Sequence, residues 1–346
     1  MKFEAVTIKD IAKELGLSTS TVSRALRDSY EISAETKRRV VACAKRLDYR
    51  PNPIALSLKE RSSKSIGVIV SEIANSFFSQ AINGIESIAY KKGYNVIIAQ
   101  SQETVEREVS QANFLSSRSI DGLIISLSSE TAGIEHINSL HNRGLPLVFF
   151  DRITDEVDTN KVIIDNFDAA YKATAHLIDQ GHKRIACLLS AGKLSITRER
   201  IAGYEKALTN HNLSIDSNLI QTCEHSGLHS SEVHEAVNHL LDLNPRPDAI
   251  LGLSDKLTVG CLRILQSRNI KIPDEIALVG FSNSDLSELL YPSLTVIKQP
   301  AFEMGEIAIS LLLKEIESKR PTRDYETKIL KAELVVRNSS RKLTGS

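Results

Sequence analysis

Paired cysteines, a long apolar run and the common catalytic signatures are all missing from this sequence, and each absence excludes something. Its four cysteines, Cys43, Cys187, Cys223 and Cys261, lie far apart with no CxxC pair. They read as reduced, mostly buried thiols rather than a disulfide framework. The opening MKFEAVTIKD lacks the apolar centre of an export signal, and no stretch approaches the length of a membrane span, so a cytoplasmic protein with no membrane partner is expected. No G-x-G-x-x-G opens a helix, no Walker-type phosphate loop occurs, and Gly252-Leu-Ser254-Asp-Lys256 lacks the second glycine of a nucleophile elbow. Binding is therefore expected over turnover, with no catalytic residue, no cofactor and no metal.

Net charge is also missing, and zero overall argues against a nucleic-acid binder until its distribution is read. Residues 1–64 hold 14 Lys+Arg against 8 Asp+Glu, a surplus of six, and the remainder carries the matching deficit. A basic head on an acidic body gives phosphate attraction without general stickiness.

The head has its own pattern. Thr7 with Asp10 forms a capping-box start to a helix with Ile8, Ile11, Ala12 and Leu15 at helical spacing, and Gly16 ends it. Ser18 caps a second helix in which Val22, Ala25 and Leu26 face inward while Thr19, Ser20, Ser23 and Arg24 face outward. Ser33 starts a third, with Val40, Ala44 and Leu47 closing a small core. This is a helix-turn-helix, whose second helix enters a major groove with short hydroxyls and a bidentate Arg as base readers. Thr19, Ser20 and Arg24 are the expected base contacts, and Thr7, Ser18, Thr21, Asn52 and Lys59 the expected backbone or groove contacts. After Tyr49-Arg50-Pro51-Asn52-Pro53, a short helix is expected from Ile54 to Arg61, too short to be stable alone. Its Leu58, beside Ala55, is placed as a minor-groove wedge. The alternative for Leu56 and Leu58 is packing on the next domain.

Beyond a polar linker at Ser62–Ser65, apolar runs alternate with amphipathic helices in two successive series, which predicts an α/β body of two doubly wound subdomains with a cleft between them. The expected division is 1–50 for the helix-turn-helix domain, 51–65 for hinge and linker, and 66–340 for an effector-binding and dimerisation domain. Within the last, 66–163 and 293–325 are assigned to the first subdomain, 164–292 and 326–340 to the second.

VTIKDIAKELGLSTSTVSRAL followed by LDYRPNPIALSL resembles the head of the LacI/GalR family of bacterial transcription regulators. NSFFSQAINGIE, DGLIIS, VFFDR, RERIAGYEKAL, GLSDKLTVGCLRIL, IPDEIALVGFSNS and LTVIKQP resemble its body blocks in order, and the body also resembles periplasmic sugar-binding proteins. The resemblance implies a homodimer that binds near-palindromic operator DNA and answers to a small effector, a sugar or sugar derivative, controlling carbohydrate or related genes. A solute receptor without DNA function and a global carbon-control regulator with a protein co-effector are the alternatives. The resemblance also implies effector contacts at Phe77, Phe78, Asp151, Arg152, Arg200, Leu228, Asp255 and Ser282. Core packing is the alternative for the two phenylalanines, a surface salt bridge for Arg200, and a helix cap for Asp255. The chain departs from the family pattern at Leu56, where Arg or Gln is usual, at Leu194 and Ile196, where polar contacts are frequent, and at Ser282, where the pattern has Asp. The departure at Leu56 bears on one polar hinge contact and not on the wedge, while those at Leu194, Ile196 and Ser282 imply an effector less basic or more apolar than a purine. The His225/His229 pair has zinc-like spacing but spans Gly227 in an expected loop, and is read, with His234 and His239, as polar loop and solvated helix face.

Overall fold

A computed structural model describes residues 6–50, 62–191, 194–318 and 324–341. The chain divides into two units, one ending at Ser63 and one beginning at Lys64. The expected Ile54–Arg61 helix, with Asn52, Ala55, Leu56, Leu58 and Lys59, lies outside the described residues.

The first unit holds α1 (Ile8–Leu15), α2 (Thr19–Leu26) and α3 (Ala34–Arg46). Thr7 N–H and its hydroxyl both donate to Asp10 Oδ2, at 2.8 and 2.7 Å, and Gly16 turns α1 off at φ 64°. That left-handed turn costs a glycine little, so the second helix can fold back at once. Ser18 and Ser33 accept from the N–H groups of Thr21 and Thr36 and start α2 and α3. Ile11, Ala12, Val22, Ala25, Val40, Cys43 and Ala44 form the buried core.

The second unit contains two six-stranded sheets. The first sheet takes β1 (Ser65–Val70), β2 (Asn95–Gln100), β3 (Gly122–Ile125), β4 (Leu147–Phe150) and β5 (Asn160–Ile164), interleaved with α4 (Ser76–Lys91), α5 (Val105–Ser117) and α6 (Glu135–Asn142). After β5 come α7 (Asn166–Asp179), β6 (Ile185–Ser190), α8 (Ser195–Asn210), β7 (Ile220–Cys223) and α9 (Ser230–Asp242). Next are β8 (Ala249–Gly252), α10 (Asp255–Ser267), β9 (Ala277–Phe281), β10 (Thr295–Lys298), α11 (Ala301–Glu317), β11 (Thr327–Leu330) and β12 (Glu333–Val335). The sheet orders are β11-β5-β4-β3-β1-β2 and β12-β10-β9-β8-β6-β7, parallel throughout except for antiparallel β12. Strands such as β3, β4, β6 and β8 are buried along their whole length, as parallel strands covered on both faces must be.

The tail corrects the sequence-based division. Thr295–Lys298, expected with the first subdomain, pairs parallel with β9 in the second sheet. Thr295 fixes it there, its N–H donating to Ser339 Oγ at 2.8 Å and its hydroxyl to the Arg337 carbonyl at 3.0 Å. The return occurs afterwards, when α11 packs on α4 with Gly84 and Gly305 facing each other's helix. Residues 326–340, expected with the second subdomain, hold two strands that part company: β11 joins the first sheet and β12 the second. Thus three segments cross between the halves, after β5, after β10 and between β11 and β12. Among the described residues no helix is long and apolar enough to cross a membrane.

Glu315, on α11, is pushed up to about 7 by burial, against a lowering hydrogen bond from Asn160. A carboxyl raised in the folded state stabilises the fold while protonated and loses that contribution as pH rises from its unfolded value toward 7. Glu315→Gln, which mimics the protonated form, is therefore expected to stabilise at pH 8 by about 1 kcal/mol, after discounting for its partial solvent exposure, and to be neutral near pH 5. Urea unfolding at both pH values checks this; equal effects at the two would refute it.

Candidate functional sites

The head presents its polar side chains from the start of α2. Ser18, Thr19, Ser20 and Arg24 are exposed and Thr21 is half-buried, while Val22 and Ala25 hold the opposite face in the core. The hydroxyls are already ordered: Ser18 Oγ lies 2.8 Å from Ser20 Oγ and 2.9 Å from Thr21 Oγ1. Arg24 is held by Glu31, Nη1 to Oε2 at 2.7 Å. Both are about half exposed, so the pair is weak and can exchange for a base edge. Thr7, the expected backbone contact, is exposed at the start of α1.

In the second unit a cleft of about 550 Å³, open to solvent, runs between the two halves. The first half contributes Asn75, Phe77 and Phe78 from the start of α4, and Asp151 and Arg152 from the end of β4. The second contributes Ser190, Ile196, Thr197, Arg200, Leu253, Ser254, Asp255, Phe281, Ser282 and Asn283, and Gln299 enters from the crossing after β10. Carboxyl ends of parallel strands converge here because each strand's following helix starts by turning away, which leaves a crevice. Seven of the eight residues expected around an effector line it. Leu228 does not: Ser226 and Gly227, at φ 56° and 83°, curl the chain there so that Gly227 lies against Lys256 and Leu257 of α10.

Phe78 packs edge-on against Phe150 at 6.1 Å and also lines the cleft. Phe77 stands T-shaped to Phe78 at 5.2 Å. Arg200 is not at a surface salt bridge. It is buried, its Nε donating to Asn166 Oδ1 at 2.8 Å and its Nη1 to the Leu253 carbonyl at 2.7 Å, with the guanidinium 3.9 Å from the Phe281 ring centre. Burial pulls its pKa down to about 10, Asp151 opposing, so it remains charged at neutral pH. Asp255 is not the helix cap, since Ser254 accepts from Leu257 N–H in that role; Asp255 instead accepts from the Ser282 hydroxyl.

Charge in the cleft is arranged in opposed pairs. Arg152 is paired with Glu103, which also accepts from Ser129 N–H at 2.9 Å. Burial alone would raise Glu103, but Arg152 holds it below the usual carboxylate range. Asp151, at φ 59° and buried, is raised by desolvation despite Arg152 and Arg200. Asp255 is likewise raised by burial. The Gln299 amide lies near enough to Asp151 to lower it, yet Gln299 Nε2 makes no hydrogen bond of normal geometry and is a buried donor awaiting an acceptor. Two aromatic faces, hydroxyls, amides, and carboxylates beside guanidinium groups suit a small, neutral, polar molecule with both donors and acceptors.

The two halves also touch across the cleft. Asn283 Nδ2 donates to Gln80 Oε1 at 2.8 Å, Gln80 Nε2 to the Asn283 carbonyl at 3.0 Å, and Lys256 pairs with Glu72.

Comparison with known proteins follows the same two-part division. Residues 7–52 match the profile described as bacterial regulatory proteins, lacI family, and residues 63–334 that of periplasmic binding proteins and the sugar binding domain of the LacI family. The chain belongs to the LacI family. It is 31% identical over 343 residues to the HTH-type transcriptional repressor PurR of Vibrio campbellii (strain ATCC BAA-1116), covering 97% of this chain and 99% of that one. Among solved structures it is similar to the lac repressor dimer bound to operator and the anti-inducer ONPF, at TM-score 0.82 and 25% identity over 98% of this chain and all of that one. It is similar also to a transcriptional regulator CelR-cellobiose complex, at TM-score 0.71 and 26% identity, covering 96% and 99%. Family membership carries the helix-turn-helix head and the two-part α/β body described above.

Sequence reasoning missed Asn75, Ser190, Thr197, Leu253, Ser254, Phe281, Asn283 and Gln299 in the lining. Ser190 ends β6 and Asn283 follows β9, so the rule that ligands sit at the carboxyl ends of parallel strands would have found them; Gln299 enters only through the crossing.

Proposed function

We propose that the protein is a cytoplasmic, homodimeric, ligand-responsive transcription repressor that binds a near-palindromic operator and takes a sugar or a similar neutral polar metabolite in the cleft. The cleft binds rather than turns over its ligand. The observation that carries this reading is the conjunction, in one chain, of a capped helix presenting Thr19, Ser20 and Arg24 with a two-walled crevice built around Arg200. The dimer follows from geometry: one small head reads a half-site, and two-fold protein symmetry matches two-fold DNA symmetry. Cellobiose in the CelR complex and operator DNA in the lac repressor complex support the two ligand classes.

The effector acts by biasing closure of the two halves, which the Gln80–Asn283 and Glu72–Lys256 contacts span. A ligand that prefers one arrangement shifts the equilibrium by its differential affinity, and the shift reaches the DNA through the segment 54–61. The test is operator binding by the full-length protein against bulk genomic competitor at moderate salt, with and without sugars. A preferred site whose affinity changes with a ligand supports the reading; no preference under any condition refutes it. In the same assay Arg24→Ala is expected to cost about 1–3 kcal/mol and to relax preference at one base position. A uniform loss across random DNA would reduce Arg24 to a phosphate contact.

A further inference from the structure

We propose that His225, His229 and Glu232 bind a divalent transition-metal ion. The sequence shows two histidines four apart in a loop, and that alone is a poor site. The fold supplies the third group. Ser226 and Gly227 both take left-handed backbone, which doubles the chain back so that the two imidazoles stack at 4.2 Å. Glu232 then reaches them from the first turn of α9, where the helix dipole favours a carboxylate. One ligand atom from each of the three residues lies within 4.8 Å of the others.

The donor set defines the ion. Two imidazole nitrogens and a carboxylate oxygen suit zinc(II) and its borderline neighbours rather than calcium or magnesium, which take oxygen ligands. Bonds of about 2.0–2.1 Å around a tetrahedral ion set ligand atoms about 3.4 Å apart. To hold an ion the His225–Glu232 pair must open slightly, and His229, which is exposed, must close on it. Preorganisation is already present: Glu232 Oε1 receives His225 Nδ1, and its Oε2 accepts the His225 backbone N–H at 3.1 Å. An ion coordinated at Nδ1 would replace the proton shared there, while the second oxygen continues to hold the loop. Three protein ligands leave a fourth position for water. Cys223 is buried, His234 is engaged with Asn238 on the helix, and neither falls within the cluster. The loop abuts the start of α10 through Gly227, beside Lys256, whose ammonium crosses the cleft to Glu72. A bound ion would therefore brace the turn that packs beside Lys256.

The experiment is equilibrium dialysis of the untagged full-length protein against zinc(II), with metal content measured per chain. One tightly held equivalent is expected in the parent protein. His229→Ala, at an exposed position the fold tolerates, and Glu232→Gln should each weaken it by more than about tenfold, since loss of a ligand costs at least as much as loss of an outer partner. His234→Ala should leave it unchanged. Far-UV circular dichroism confirms that each variant folds. Absence of a tightly held equivalent, or one that survives both ligand variants, overturns the proposal.

Discussion

Arg200→Ala is expected to abolish the effector response and to destabilise the second unit by about 3 kcal/mol. The guanidinium does three things at once in a buried place: it satisfies Asn166 Oδ1, satisfies the Leu253 carbonyl, and offsets the charge of Asp151. Alanine leaves two buried acceptors unpaired and removes one of the two cations that oppose the effect of desolvation on Asp151. Affinity for the effector should fall by more than about a hundredfold, because a fork that grips hydroxyls is replaced by a void beside a carboxyl group left with Arg152 alone. Operator binding without effector should persist, since the head folds around its own core. Fluorescence anisotropy of labelled operator, titrated with the effector, separates the two. Arg200→Lys should not restore the response, as a point charge cannot reach both Asn166 and Leu253 in the plane the fork uses. An alanine variant that responds at the parent's effector concentration would show that Arg200 only packs the interior.

Gly305→Ala is expected to be among the most damaging single-methyl additions in the chain. At the crossing of α4 and α11 a Cβ on Gly305 would fall 2.1 Å from the Ala81 carbonyl oxygen, and one on Gly84 would fall 2.0 Å from that of Phe302. Backbone oxygens cannot step aside as a flexible side chain does, so the two helices must separate along a face that includes Ala81, Ile85, Ala308 and Ile309. We expect a loss of about 3 kcal/mol or more and a fall in Tm of roughly 6–12 °C for a body of this size. Scanning calorimetry decides it, and an unchanged Tm would mean the helices slide without cost. The effect should also reach the cleft, because α4 carries Phe77 and Phe78 at its start, next to the crossing.

Both predictions rest on contacts between residues far apart in the chain, and this divides what could be read early from what could not. The head was legible almost residue by residue, because a cap, a left-handed glycine and a 3.6-residue apolar stripe are local, and Thr7, Ser18, Ser33 and Gly16 do in the structure what their positions require. The strand–helix alternation was equally local. The cleft was partly legible, since residues at the ends of β4 and β8 converge in any doubly wound sheet; Asp151, Arg152 and Asp255 follow from that rule, while Arg200 was placed through its resemblance to a family block.

By itself, then, the sequence determined the kind and order of the elements, the helix caps, the split between a basic head and an acidic body, and seven of the sixteen residues that line the crevice. Tertiary structure alone decided which sheet each late strand joins. An apolar run buried on both faces has no polar side to mark its neighbours, so Thr295–Lys298 carried no sign of its partner β9 until Ser339 and Arg337 came back to hold it. It also decided the pairings on which charge depends: Arg24 with Glu31, Arg152 with Glu103, Glu72 with Lys256, and Glu232 with His225. Those energies follow distance and burial in space, quantities that separation along a chain does not encode.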